Sequence, residues 1–298
     1  MNFAQMPAQI PALSGTKVFN RFPGMNWFGD GITGDAAAAD AAIPPEPSIA
    51  MSKVPQVAIG FWIIKIAATT LGETGGDSVS MSLNLGYATS TIIFFCLFAV
   101  TLFFQMRARR FHSFLYWAVI VSTTLAGTTM ADFADRSLGM GYPGGASILF
   151  VLVVAVLVTW RVRMGSISVN YISSPKVEIF YWTTILCSNT LGTALGDWVA
   201  DSGPGYEGGA LIFAGCIAVV ALLYFLTKAS RSILFWAAFV LTRPLGATLG
   251  DLLTKPHNAG GLALSRYASS AAIAAFMILC ILVFPQRAGE HPGAKSEA

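Results

Sequence analysis

The chain has 298 residues, 55% of them hydrophobic and only 11% charged, with a formal net charge of +3. Soluble domains carry about 25% charged residues, so this composition excludes an ordinary soluble domain and points to an all-α integral membrane protein whose length counts spans. Cys96, Cys187, Cys216 and Cys280 all lie inside apolar runs and match no disulfide framework or paired-cysteine metal spacing, while His112, His257 and His291 fall in loops or a tail, which excludes a soft or imidazole-rich metal site.

Residues 1–50 are rich in Ala, Pro and Gly, include DAAAADAAIPPEP and show no apolar period, so they are expected to form a disordered cytoplasmic tail. They lack the basic start, apolar run and cleavage site of a signal peptide. The repeat array begins directly after Met51, which makes Met51 a candidate start of translation.

From Pro55 the apolar runs come in pairs. They predict eight transmembrane helices at about 55–76, 86–106, 113–133, 145–162, 176–197, 208–227, 231–251 and 262–284, each near the ~20 residues that cross a bilayer. Pro55 and Pro175 are placed as first-turn prolines. The eight fall into four two-helix repeats, about 55–106, 113–162, 176–227 and 231–284, within a membrane domain of 51–286; a cytoplasmic tail of 287–298 follows. Gly-Tyr introduces the second helix in three repeats (Gly86-Tyr87, Gly141-Tyr142, Gly205-Tyr206), and Gly-Gly follows in repeats two to four (Gly144-Gly145, Gly208-Gly209, Gly260-Gly261). Glycines there permit tight re-entry or close helix contact.

The first helix of each repeat carries the strongest signal. Trp62 to Asp77, Trp117 to Asp132, Trp182 to Asp197 and Trp236 to Asp251 all read W-x9-G-x4-D, with Gly72, Gly127, Gly192 and Gly246 in the middle column and Phe61, Tyr116, Tyr181 and Phe235 before the tryptophans. Trp to Asp is about 22 Å along a helix. Basic residues fix the orientation. Lys53, Arg107, Arg109, Arg110, Arg161, Arg163, Lys176, Lys228, Arg231 and Arg287 lie between or flanking repeats, and Arg136, Lys255 and Arg266 within them. Both termini are therefore expected in the cytoplasm, with four parallel repeats and the tryptophans acting as belt anchors near the cytoplasmic face.

That orientation puts Asp77, Asp132, Asp197 and Asp251 toward the outer side, where helices around a common axis would gather them into a ring. Glu73, Asp135, Asp201 and Glu207 bring eight of the fifteen acids to this level, a concentrated negative field that attracts cations. Two readings compete: each Asp faces water at a helix end, although an acid at a helix C-terminus opposes the dipole, or each caps backbone amides of its own outer loop. One turn and more deeper, each repeat has a polar residue near the midplane, Thr69, Thr124, Asn189 or Arg243, followed four residues on by Glu73, Thr128, Thr193 or Ala247. Lys65 extends the stripe in the first helix. Intramembrane ionisable groups point to function and require partners: Glu73 or a neighbouring Asp for Lys65, and Glu73 or Asp77 for Arg243 if repeats one and four adjoin. A structural salt bridge competes with a coupling role. Pro244 is expected to kink its helix near mid-membrane. The second helices are almost wholly apolar and are expected to face lipid.

The four W-x9-G-x4-D segments, with TLGETGGD, TLGTALGD and RPLGATLGD as they stand here, resemble a family of bacterial membrane proteins catalogued as a fourfold repeat of unknown function. The resemblance covers about residues 51–286. It implies two membrane helices and a characteristic tryptophan per repeat, and a bacterial inner-membrane setting; it implies no activity.

Three functional classes follow. The oxygen-donor set Glu73, Asp77, Asp132, Asp197, Asp251, Thr69, Thr124 and Asn189 suits transport of a hard cation: a divalent metal such as Mn or Mg, or a proton-coupled ion. Arg243 and Lys65 would instead serve a carrier of an anionic or polar organic solute. A structural membrane protein is the third. No nucleophile with an activating base, histidine metal motif or phosphate-cradling loop is present, so an enzyme is not expected. Nor is a cofactor or a nucleic-acid partner; the partners expected are the lipid bilayer, a cation or small solute, and a further copy of the chain if it oligomerises.

Overall fold

The computed structural model describes residues 53–289 except 168, 170, 171 and 173; the tail of residues 1–50 and the end of the chain lie outside the described residues. Eight long helices follow one another there: α1 (Ile59–Asp77), α2 (Gly86–Arg107), α3 (Ser113–Asp132), α4 (Gly141–Met164), α5 (Pro175–Asp201), α6 (Gly205–Leu226), α7 (Arg231–Thr254) and α8 (Arg266–Val283). Six are long and apolar enough to cross a membrane; α1 and α5 are long enough but more polar. π-Helical turns extend α1 through Ser78–Ser82 and α3 through Phe133–Ser137.

Local signals explain the boundaries. Pro175 occupies the first turn of α5, and the Ser174 hydroxyl accepts the amide hydrogen of Val177 at 3.4 Å. Pro55 does not start α1: it pairs with Ala288 in an isolated antiparallel bridge, and the helix begins at Ile59. The amide of Gln56 donates to the Arg287 carbonyl and that of Gly289 to the Val54 carbonyl, so the two ends of the array are tied together. Gly86, Gly141 and Gly205 open α2, α4 and α6 with φ of +74°, +68° and +68°, a conformation that side chains with a Cβ resist.

The odd helices form a closed ring: α1 packs on α3, α3 on α5, α5 on α7 and α7 on α1. Each even helix packs chiefly on the odd helix of the next repeat, α2 on α3, α4 on α5, α6 on α7 and α8 on α1. In the apolar windows of α3 and α7, 67% of residues are buried, against 17–22% in α2, α4, α6 and α8, which places the odd helices inside and the apolar even helices outside.

The repeated glycines set the inner spacing. A Cβ on Gly72 would lie 3.0 Å from the Thr124 carbonyl carbon, and one on Gly127 3.0 Å from the Thr190 nitrogen. On Gly192 it would lie 2.5 Å from Arg243 Cβ, and on Gly246 2.5 Å from Thr69 Cβ. The middle-column glycine of each repeat thus faces the midplane polar position of the next, and the fourth faces the first. One turn on, Gly76 faces Thr128, Gly196 faces Ala247 and Gly250 faces Glu73. Stepping four residues along one helix steps four along its neighbour in the same direction, so the inner helices are parallel. Small residues four apart allow this close backbone approach.

The tryptophans are not belt anchors. Trp117, Trp182 and Trp236 are buried and Trp62 is partly buried. Each packs on the aromatic preceding the tryptophan of the previous repeat: Phe61 with Trp117 (5.5 Å between ring centroids), Tyr116 with Trp182 (5.7 Å), Tyr181 with Trp236 (6.1 Å) and Phe235 with Trp62 (5.7 Å). The result is an aromatic plug at one end of the inner bundle, fastened by a 2.7 Å hydrogen bond between the Tyr116 and Tyr181 hydroxyls. Ring closure turns these side chains inward, where their area is buried against other rings. Pro244 lies within α7, which runs through it without a break.

Candidate functional site: a charged axial column

Above the aromatic plug the inner ring holds three polar tiers. The first centres on Lys65, which is fully buried and donates to Asn189 Oδ1 at 3.4 Å, with its ammonium 4.2 Å from the centre of the Phe239 ring. Asn189 Nδ2 donates to Thr123 Oγ1 at 2.9 Å. The expected ion pair of Lys65 with Glu73 or an aspartate does not form; α5 supplies the partner instead, because the ring brings Asn189 to the axis. Thr69 and Thr124 donate to backbone carbonyls of the preceding helix, Thr242 at 3.1 Å and Ala68 at 3.2 Å.

The second tier is built on Arg243, also fully buried. Its Nη1 donates to the Thr69 carbonyl at 3.0 Å. Its Nη2 donates to Glu73 Oε2 at 3.1 Å, Thr193 Oγ1 at 2.6 Å and Thr128 Oγ1. One guanidinium from α7 therefore ties together α1, α3 and α5. It meets Glu73, as the adjacency of repeats one and four predicts, and Thr128 also donates to Glu73 Oε2 at 3.4 Å. Such a group is tolerated in a buried interior only when its charge is matched, as Glu73 matches it here; the Arg243 Nε is buried without a hydrogen-bond partner.

The third tier is the aspartate ring. Asp77, Asp132, Asp197 and Asp251 are buried, at 1–5% exposure, and are not helix-terminal caps: helical backbone continues beyond each one. Arg136 bridges two of them, Nε to Asp132 Oδ1 at 3.1 Å and Nη2 to Asp197 Oδ2 at 2.9 Å. Lys255 bridges the others, Nζ to Asp77 Oδ2 at 3.0 Å and to Asp251 Oδ1 at 3.2 Å, with Arg266 Nε 3.7 Å from Asp77 Oδ2. Both bridging cations stand four residues after an aspartate and reach to the next helix of the ring. Asp77 Oδ1 and Asp132 Oδ2 are buried without a hydrogen-bond partner. Asp135 is buried beside the ring, whereas Asp201 and Glu207 are exposed and do not join it.

Arg136, Lys255 and Arg266 are the three basic residues within repeats. In the sequence they bear on orientation alone; in the structure they neutralise the aspartates. The spacings Asp132–Arg136 and Asp251–Lys255 carried that signal. Lys255 lies just beyond α7. Burial works against its ammonium, but Asp251 and Asp77 outweigh it and hold its pKa above the ordinary lysine value. Glu73, Asp77 and Asp251 each offer an oxygen within 4.8 Å of the others, a spacing that suits one hard cation.

The family described as Repeat of Unknown Function (DUF347) matches residues 60–111, 115–166, 180–230 and 234–288. The chain belongs to this family, and the matched segments are the four two-helix units of the ring. No curated protein and no solved structure matches the chain.

Proposed function

We propose that this chain is an eight-span protein of the bacterial inner membrane, with both termini in the cytoplasm, and that it works as a secondary transporter moving a hard cation, either a divalent metal such as Mn or Mg or an ion coupled to protons. The observation that carries this reading is the column of five buried carboxylates, Glu73, Asp77, Asp132, Asp197 and Asp251, inside a sleeve of apolar helices. Carboxylates in such a place are costly unless they hold charge that moves or pairs. The four parallel helices present them from one end, and the buried oxygens of Thr69, Thr124, Thr128, Thr193 and Asn189 carry the polar column further inward. The three basic residues on the outer side are all engaged by the aspartate level, so the cytoplasmic excess of Lys and Arg stands as the orienting signal.

Arg243 is committed to four partners within the ring, which argues against its serving as the receptor of an anionic solute. Lys65, with one hydrogen-bond partner, is the residue on which that alternative rests. The pairing of each aspartate with a tethered cation favours a structural role as the remaining reading.

Flux into proteoliposomes over a panel of cations, with an imposed pH gradient, tests the proposal. Wild-type flux above empty liposomes, lowered about ten-fold or more by Asp197→Asn, is the expected result. Flux of an organic anion abolished by Lys65→Met would favour the solute carrier. Absence of any flux, with Asp197→Asn changing stability alone, would leave the structural reading.

A further inference from the structure

We propose that Glu73, Asp77 and Asp251 form the seat of a divalent cation and that the Lys255 ammonium is its tethered occupant, displaced when the ion arrives; this rests on the cation-transport reading above.

The two bridged pairs of the aspartate ring are built alike but are not equivalent. Arg136 spans Asp132 and Asp197 with two different nitrogens of its fork. Lys255 meets Asp77 and Asp251 with a single nitrogen, a compact point charge standing where an ion would stand. The lysine pair also has a third carboxylate. Glu73 lies one turn before Asp77, where the corresponding position before Asp197 is Thr193. Three carboxylates with oxygens within 4.8 Å of one another make an all-oxygen donor set for a hard divalent ion. Within the cluster, Asp77 is 1% exposed and its Oδ1 is buried with no hydrogen-bond partner although its Oδ2 is held by Lys255, so the lysine leaves one buried acceptor of these carboxylates unfilled.

The occupant sits at the end of its helix rather than within it. Lys255 is the first residue after α7, precedes Pro256 and keeps 10% of its side chain exposed. Rotation about its flexible stem carries the ammonium toward solvent without repacking a helix. Arg243, held by three helices, has no such route.

Binding of Mn2+ to the full chain in nanodiscs, followed by loss of the free-ion electron paramagnetic resonance signal, tests the seat. Lys255→Met is expected to bind about ten-fold more tightly than the wild type. Adding Glu73→Gln and Asp77→Asn to it abolishes that binding. A second measurement needs no variant: Mn2+ speeds acylation of wild-type Lys255 by a water-soluble amine reagent several-fold, read by mass spectrometry. Unchanged affinity in a folded Lys255→Met protein, or unchanged Lys255 labelling at saturating Mn2+, overturns the proposal even if cation flux is observed. Mn2+ binding with both expected responses but no flux upholds the seat and removes transport instead.

Discussion

Gly246 of α7 lies so close to Thr69 of α1 that a β-carbon on it would fall 2.5 Å from the threonine's Cβ and 2.8 Å from its carbonyl carbon. The second of these contacts is to backbone, so the helices themselves must part. Gly246→Ala is expected to lower stability by about 1–3 kcal/mol through overpacking. Gly215→Ala, in α6 with open space around the site, should be neutral or stabilising by up to about 1 kcal/mol, as alanine is the better helix former. Reversible denaturation in detergent measures both, and equal effects would refute the close-approach account.

Arg243 and Glu73 test whether the second tier is a matched pair. Arg243→Met removes the only cation hydrogen-bonded to Glu73 among the described residues and leaves a carboxylate in a dry interior. The expected loss is about 3–5 kcal/mol, and Arg243→Met with Glu73→Gln should recover part of it. Strict additivity of the two changes in a double-mutant cycle would show that they do not act together.

The repeat and the helices were legible because four copies keep the same spacing, and because long apolar runs leave few alternatives to helix. The inner and outer layers were legible from polarity, since α2, α4, α6 and α8 carry little that needs a polar partner. Side-chain facing was harder to read. In lipid both the inside and the outside of a bundle are apolar, so periodicity does not tell which face of α1 or α3 turns inward. The tryptophans therefore read as interfacial anchors until ring closure set Trp117 against Phe61 and Trp182 against Tyr116. Lys65 and Glu73 read as partners because they share a stripe eight residues long. The pairing went elsewhere because Gly246 lets α7 bring Arg243 within reach of Glu73, a contact between residues 170 apart in the chain. Gly72, Gly192 and Gly246 with their i+4 glycines mark that packing face in the sequence.

The Tyr116–Tyr181 hydrogen bond should hold the aromatic plug as a pair. Both side chains are buried, and the hydroxyls lie 2.7 Å apart. Tyr181→Phe leaves the Tyr116 hydroxyl without this partner, at a cost of about 1–3 kcal/mol, whereas changing both to Phe removes the stranded group and should restore much of the loss. A double variant less stable than either single one would show that the hydroxyls are held by something other than each other.

Lys255 supplies a test by pH. Its folded-state pKa lies above the ordinary lysine value, with burial opposing the charge and Asp251 and Asp77 prevailing. A group raised on folding contributes stability in full below its unfolded pKa, near ~10.4 for lysine, and loses it only as pH rises through the folded value. Lys255→Met, which leaves Asp77 and Asp251 without the ammonium they share, should cost about 2–4 kcal/mol at neutral pH. The gap between wild type and variant should then stay level from about pH 7 to pH 10 and narrow only above that. The comparison is run in chelator, so that no divalent ion replaces the missing ammonium. A gap that instead widens as pH rises from about pH 8 to pH 10 would place the folded pKa below the unfolded one, and the ammonium would not be the shared partner of Asp77 and Asp251.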